Sequence, residues 1–289
     1  MFALDLRGMG IVQLFKCALK EFSEDEMPTY AAALSFQALF SLFPFLLFLV
    51  ALISFFDLQP FFDWLREQAA LLLPGQAMEQ VDKVILQFQS QKAGLFSFAI
   101  LIALWTASAG VRSMMVAMNR AYDVPEGRPM WKLYPLSTFY TLGIALMLLS
   151  AAALMVVGPT LMGRLAGLVG FEEYLVILWT WLRWPVAILL LIVAVAVIYY
   201  VTPDVKQEFR FITPGSLVAV LVWIAASLGF GVYVQNFADY SATYGSIGAI
   251  IVMLMYFYIS AAVLLFGAEL NAVIEHQDPQ GKDPGEKVA

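Results

Sequence analysis

Charge is scarce in this chain. Only 13% of its 289 residues are Asp, Glu, Lys or Arg, against about 25% in an average soluble domain, while mean hydropathy reaches +0.81. That combination excludes an ordinary water-soluble fold and indicates an integral membrane protein. Cysteine and histidine are nearly absent. Cys17 alone cannot form an internal disulfide, and His276 lies in a polar tail, so no His/Cys metal set and no haem-ligand pair can form in the apolar part. Clustered basic residues are also lacking: with a net charge of -6 and a pI near 4.8, the chain is not expected to bind nucleic acid, whose phosphates need grouped Lys and Arg. No G-x-x-x-x-G-K-[ST] phosphate loop occurs, which excludes a typical ATP-driven pump acting alone. No H-E-x-x-H, G-x-S-x-G or facing pair of mid-membrane aspartates occurs either, which counts against the common intramembrane hydrolases. No catalytic residue, metal or cofactor is therefore expected.

Long uncharged runs are what the chain does have. From Gly245 to Ala268 there is no charged residue, and at about 1.5 Å per helical residue that run spans roughly 36 Å, more than the roughly 30 Å of a bilayer's hydrocarbon. The same reading along the chain predicts an all-α integral membrane protein with a bundle of six transmembrane helices, spanning about 30–56, 94–118, 136–157, 184–201, 211–237 and 245–268. Residues 1–29 form an N-terminal amphipathic segment, with Ile11, Phe15, Ala18, Leu19 and Phe22 at helical spacing, lying on the membrane surface or packed under the bundle. Residues 57–93 read as two short amphipathic helices in the first outer loop, and 273–289 as a disordered polar tail. Pro44 falls near the middle of the first span, where it removes a backbone hydrogen bond and kinks the helix or serves as a hinge. Pro214 and Gly215 open the fifth span, while Gly245, Ser246 and Gly248 open the sixth with side chains small enough for close helix approach.

Orientation follows from the basic residues. With the N-terminus inside, only Arg66, Lys83, Lys92, Arg164 and Arg183 fall outside and all other Lys and Arg fall inside, so both termini are expected to be cytoplasmic. The only charge within the spans is Arg112, and Glu269 follows the sixth directly; helix rise places both at the cytoplasmic edge. They pair across the second and sixth helices, or Arg112 reaches lipid phosphates while Glu269 sits in the interface. Neutral polar groups such as Gln37 and Ser41 either hydrogen-bond between helices or line a groove for an amphiphile's head group.

Several stretches together resemble the YihY/virulence factor BrkB family: AAALSFQALFSLFPFLL (Ala31 to Leu47), NRAYDVPEGRPMWK (Asn119 to Lys132), YYVTPD with ITPGSLVAVLVW (Tyr199 to Asp204, Ile212 to Trp223), and YGSIGAIIVMLMYFYISAAVLLFGAELNA from Tyr244. The resemblance implies a six-helix bacterial inner-membrane protein with cytoplasmic termini and gives weight to Pro44, Asn119, Tyr122, Arg128, Pro214, Gly215, Tyr244, Gly245, Gly267, Glu269 and Asn271. It assigns them no catalytic role. Its ribonuclease label does not suit an acidic chain whose one histidine is in a tail. The expected function is a transporter or exporter of a lipid-like or amphiphilic substrate with no ATPase of its own, with Arg112, Glu269, Asn271, Asn119, Gln37 and Ser41 as the substrate path or latch. A different class of reading is a non-transporting scaffold for envelope proteins. The expected partners are membrane lipids, such envelope proteins, and a second copy of the chain through the small-residue faces.

Overall fold

The computed structural model describes residues 10–54, 96–169, 172–207, 211–236, 238–277 and 286–287. Among these there are seven α-helices and no strand: α1 Ile11–Glu24, α2 Met27–Ser54, α3 Phe96–Ala121, α4 Met130–Val169, α5 Glu172–Val201, α6 Pro214–Asn236 and α7 Ala238–Gln277. Four stretches within them are long and apolar enough to cross a membrane: Leu101–Ala121, Trp181–Val201, Pro214–Val234 and Ile250–Gln277. The outer-loop helices expected over 57–93 lie outside the described residues.

Helix ends depart from the expected spans in a consistent direction. α4 continues through Gly158 and Pro159 to Val169, α5 begins at Glu172 and runs through Pro185, and α7 already includes Asp239 and Tyr240. Backbone polar groups near or within a bilayer have few partners other than their own helix, so helices there run past turn-forming residues that would end them in water. α6 begins at Pro214 rather than Phe211 because Thr213 caps it. Thr213 Oγ1 accepts from Ser216 N at 3.1 Å, and Ser216 Oγ accepts from Thr213 N at 3.0 Å, a reciprocal capping box. Pro214 takes the first helical position, where its missing N–H is not needed. The polar stretch after residue 272 is helical as far as Gln277, because Val273 is buried with Leu270 against Leu14 and Ala18 of α1.

The chain divides into two compact units, one of Met1–Ser41, Ala109–Ser137 and Leu191–Ala289, the other of Leu42–Ser108 and Thr138–Leu190. In the second, Trp181 and Trp184 are exposed and the Arg183 guanidinium lies 5.4 Å from the Trp184 ring centre, an aromatic and basic set of the kind found at a bilayer interface. In the first, Met27, Ala31 and Leu34 of α2, Ala117 and Met118 of α3, Val195 and Tyr199 of α5, Val220 of α6 and Leu265 of α7 share one core. α1 packs on α7 through Leu14 and Ala18, with Phe15 and Phe22 each about 6 Å from the Phe266 ring. Ile11, Val12 and Leu19 stay exposed on α1.

The closest approach in this unit is between α6 and α7. A Cβ on Gly215 would overlap the Gly267 carbonyl, and a Cβ on Gly267 would meet the Tyr199 hydroxyl, the Ala219 Cβ and, at 2.7 Å, the Gly215 carbonyl. Backbone atoms cannot rotate out of the way as a side chain would, and the Tyr199 hydroxyl is fixed by donating to the Leu264 carbonyl at 2.6 Å. Gly229, on the same α6, has nothing within 4 Å of an added Cβ. Gly267→Ala is therefore expected to destabilise by at least about 1–3 kcal/mol, the range for overpacking. Gly229→Ala should be neutral or stabilising by up to about 1 kcal/mol from helix propensity. Thermal unfolding of both variants in the same detergent checks this, and equal midpoints would contradict the close crossing.

Candidate functional site

Three polar groups of residues gather at the end of the first unit that carries its loops. The first staples α6 to α7. Asn271 Oδ1 accepts from Gly215 N at 2.8 Å and Asn271 Nδ2 donates to Thr213 Oγ1 at 3.0 Å. One side chain on α7 thus satisfies one of the free N–H groups at the start of α6. The amide supplies both the acceptor for Gly215 N and the donor for Thr213 Oγ1 on one rigid plane.

The second group locks the loop after α3 onto the loop after α5. Asn119, 3% exposed at the end of α3, donates to Glu126 Oε2 at 2.9 Å and accepts from Asp204 N at 2.6 Å. Arg128 places Nε on Glu126 Oε1 and Nη2 on Glu126 Oε2, both at 2.7 Å, and Nη2 also donates to the Thr202 carbonyl. Asp204 takes Gly127 N at 2.9 Å and the Lys287 ammonium, while the Lys287 carbonyl accepts from Lys206 N. Burial works against ionisation of Glu126, yet the side-chain and backbone hydrogen bonds from Arg128 outweigh it and hold the carboxyl below its ordinary range. Asp204 is likewise held low against its burial, by Lys287 first and then by Gly127 N–H and Arg128. Bidentate Arg–carboxylate pairing fixes direction as well as distance, so this loop has a defined shape.

The third group surrounds Glu269, and its electrostatics run the other way. Glu269 is 1% exposed, and its Oε1 has no hydrogen-bond partner among the described residues. The charges that act on it are mostly of its own sign: Asp25, Asp123 and Glu21, with Arg120 opposing them. Arg120 is committed to Asp25, at 2.9 Å between Nη2 and Oδ1. Asp25, itself 5% exposed, is pushed up to about 6 by its burial and by the Asp123 charge, with Arg120 pulling against both. Tyr122 lies in the same place, its phenol pushed above its ordinary value by burial and by Glu275 and Glu269.

Helix ends supply these acids. Asp123 follows α3 with φ 53°. Val124 N donates to the Asn119 carbonyl and Asp123 N to the Arg120 carbonyl, a Schellman ending whose left-handed position usually holds glycine. A carboxylate there also faces the negative end of the α3 dipole. Asp25 closes α1, and the next residue, Glu26, has φ 55°.

The expected site residues are only partly brought together. Asn119 enters the loop lock, while Asn271, Pro214 and Gly215 form the staple. Glu269 sits two residues before Asn271. Arg112 does not join Glu269: its guanidinium lies 4.5 Å from the Tyr134 ring centre and donates to Ser137 Oγ at 3.3 Å. Gln37 Nε2 donates to Ser41 Oγ at 3.2 Å within α2, and Ser41 Oγ lies 3.3 Å from where a Cβ on Gly110 would be. Ser41 thus sits where α2 approaches α3. Pro44 lies inside α2, and Gly245, Ser246 and Gly248 lie in α7. Asp25, Arg120, Asp123, Glu126, Asp204 and Thr213 are site residues that the sequence does not single out. The acidic run Glu24 to Glu26 is a visible signal for Asp25, but it reads equally as a helix start.

A family model described as virulence factor BrkB matches residues 18–289. A ribonuclease-like protein, YfkH, of Bacillus subtilis (strain 168) is 35% identical over 265 residues, covering 91% of this chain and 95% of the relative. A UPF0761 membrane protein of Alteromonas mediterranea is 27% identical over 270 residues, 89% of this chain and 86% of its own. Another, of Ralstonia nicotianae, is 28% identical over 279 residues and extends well beyond the match, which covers 90% of this chain but 58% of that protein. No solved structure matches.

The position of Asp25 sets a pH dependence. A carboxyl pushed up on folding binds a proton more tightly in the folded chain, so its stabilising contribution is complete below its ordinary value and is lost as pH rises through about 6. Asp25→Asn, which cannot ionise, should melt several degrees above the wild type at about pH 7.5 and level with it at about pH 4. Thermal unfolding at the two pH values reads this. A variant that melts below the wild type at about pH 7.5 would show that the Arg120 ion pair outweighs the burial of Asp25.

Proposed function

Because the chain belongs to the virulence factor BrkB family, we propose that it is a six-span bacterial inner-membrane transporter or exporter. It moves a lipid-like or amphiphilic substrate, has no ATPase of its own, and keeps both termini in the cytoplasm. α3, α5, α6 and α7 contain the four apolar stretches long enough to cross a membrane, and α2 and α4, of 28 and 40 residues, supply the other two spans. The reading rests on Glu269: a carboxyl inside a membrane helix, 1% exposed, with an oxygen unpartnered among the described residues. Ionisable groups buried within a membrane helix are costly and often serve substrates, ions or relays, and a buried polar atom without a partner calls for an explanation.

The frame around it supports this assignment. The staple and the loop lock pair their polar groups and hold α3, α5, α6 and α7 at one end, while Glu269 Oε1 has no hydrogen-bond partner among the described residues. The ribonuclease-like name of the Bacillus relative does not transfer to this chain. Glu126 and Asp204 at this end are tied to Arg128 and Lys287, and the chain's net charge of -6 opposes the approach of a polyanion.

Translocation of head-group-labelled phospholipid in proteoliposomes, with an external quencher, tests the reading. Wild-type protein should expose the protected inner-leaflet label, and Glu269→Gln should slow this roughly tenfold, equivalent to about 1.4 kcal/mol at the barrier. Wild-type vesicles indistinguishable from protein-free ones, with the protein shown to be folded, would contradict lipid movement and favour the scaffold.

A further inference from the structure

Glu269 stands where α1, the turn before α2 and the end of α3 each bring titratable groups. Glu21 comes from α1, Asp25 from the turn before α2, Arg120 from α3, Tyr122 and Asp123 from the segment after it, and Glu275 lies about one and two-thirds turns along α7 itself. Of these Arg120 alone is a cation, and it is spent on Asp25. The Glu269 carboxyl therefore needs a positive charge that no described side chain around it supplies.

The size of that charge is limited by the geometry. Glu269 is 1% exposed and Oε1 is closed off from solvent, which leaves no room beside it for an ammonium head group. Among the described residues no group of three His, Cys, Asp or Glu side chains is placed to hold a metal ion. A proton needs neither a cavity nor further ligands, since it forms an O–H bond to the oxygen already there.

We propose that Glu269 is a proton-binding site of the membrane-embedded unit, taking a proton from the aqueous face at the loop end and returning it there, with the state of the neighbouring Asp25–Arg120 pair setting when it does so. In one direction a hydronium ion gives its proton to the carboxylate and leaves water; in the other the carboxylic acid gives it back. Asp25 responds in the range where cells work, since its own carboxyl is pushed up to about 6. Loss of the proton leaves a carboxylate among Asp25, Asp123 and Glu21, and that repulsion presses the α1–α2 turn and the end of α3 away from α7. The inference rests on the transport reading only for what the proton drives, not for the site itself.

Infrared pH titration of the whole chain in lipid nanodiscs tests it without a transport assay. The difference between wild type and Glu269→Gln should contain one carboxylic-acid band that converts reversibly to carboxylate. Asp25→Asn should displace the midpoint of that step by about half a pH unit or more, as removal of a nearby charge does. Glutamate-selective carbon-13 labelling of the wild type reads the same step should Glu269→Gln fail to fold. A Glu269 carboxyl that never changes protonation state, or a carboxylate band that shifts with sodium instead of with pH, would overturn the proposal. Titration of Glu269 with no lipid movement would leave the proton site standing and remove the transport reading, and the reverse result would do the opposite.

Discussion

α6 and α7 meet backbone to backbone where Gly215 faces Gly267, and the rest of the first unit depends on that contact. In a helix, residues 267 and 271 share a face. Once the glycines touch, Asn271 falls beside the start of α6 and bonds Gly215 N and Thr213 Oγ1. Residue 269 is turned about 200° away from 267, so Glu269 points from that crossing towards α3 and the α1–α2 turn. Phe266, Leu270 and Val273 form a third face, which receives α1. One helix thus presents glycine and an amide to α6, apolar side chains to α1, and a carboxyl to the acidic helix ends.

Satisfied and unsatisfied polar groups at this end differ in physical character. Glu126, Arg128, Asn119 and Asp204 exchange hydrogen bonds with defined geometry, and their carboxyls are held low despite burial. In low dielectric such a fully paired network is rigid, and an unpaired member would be costly. Asp25, Asp123 and Glu269 break that pattern, with acids at the ends of α1 and α3 and one pushed up to about 6. Local choices that conflict with helix dipole and backbone preference concentrate at functional positions, and Asp123, an acid with φ 53°, is such a choice.

Much of the fold is legible in the residues and part of the site is not. Long apolar runs find α3, α6 and α7, and the expected start of the fifth span at Phe211 lies within three residues of the start of α6. Pro214 and Gly215 are singled out as the opening of the fifth span, but that Gly215 meets Gly267 depends on how α6 packs on α7. Depth along the membrane follows from helix rise, which puts Arg112 and Glu269 at one level. Azimuth around the bundle depends instead on tertiary packing, and it separates them. The loop 122–129 folds α4 back beside α3, so Arg112, nine residues before the end of α3, meets Tyr134 and Ser137, four and seven residues beyond the start of α4. The acids near Glu269 are illegible for another reason: Asp25 and Asp123 are remote from it in sequence, and only the packing of α1 and α3 brings them in.

Everything proposed for this end of the molecule turns on Glu269 being buried with no described cationic side chain paired to it, while Arg120 is given to Asp25. Solid-state NMR distances in lipid, between carboxyl carbons and arginine guanidinium carbons, measure this directly. A guanidinium should stand at ion-pair distance from the Asp25 carboxyl and none from that of Glu269. A guanidinium on Glu269, from Arg120 or Arg112, would contradict that arrangement.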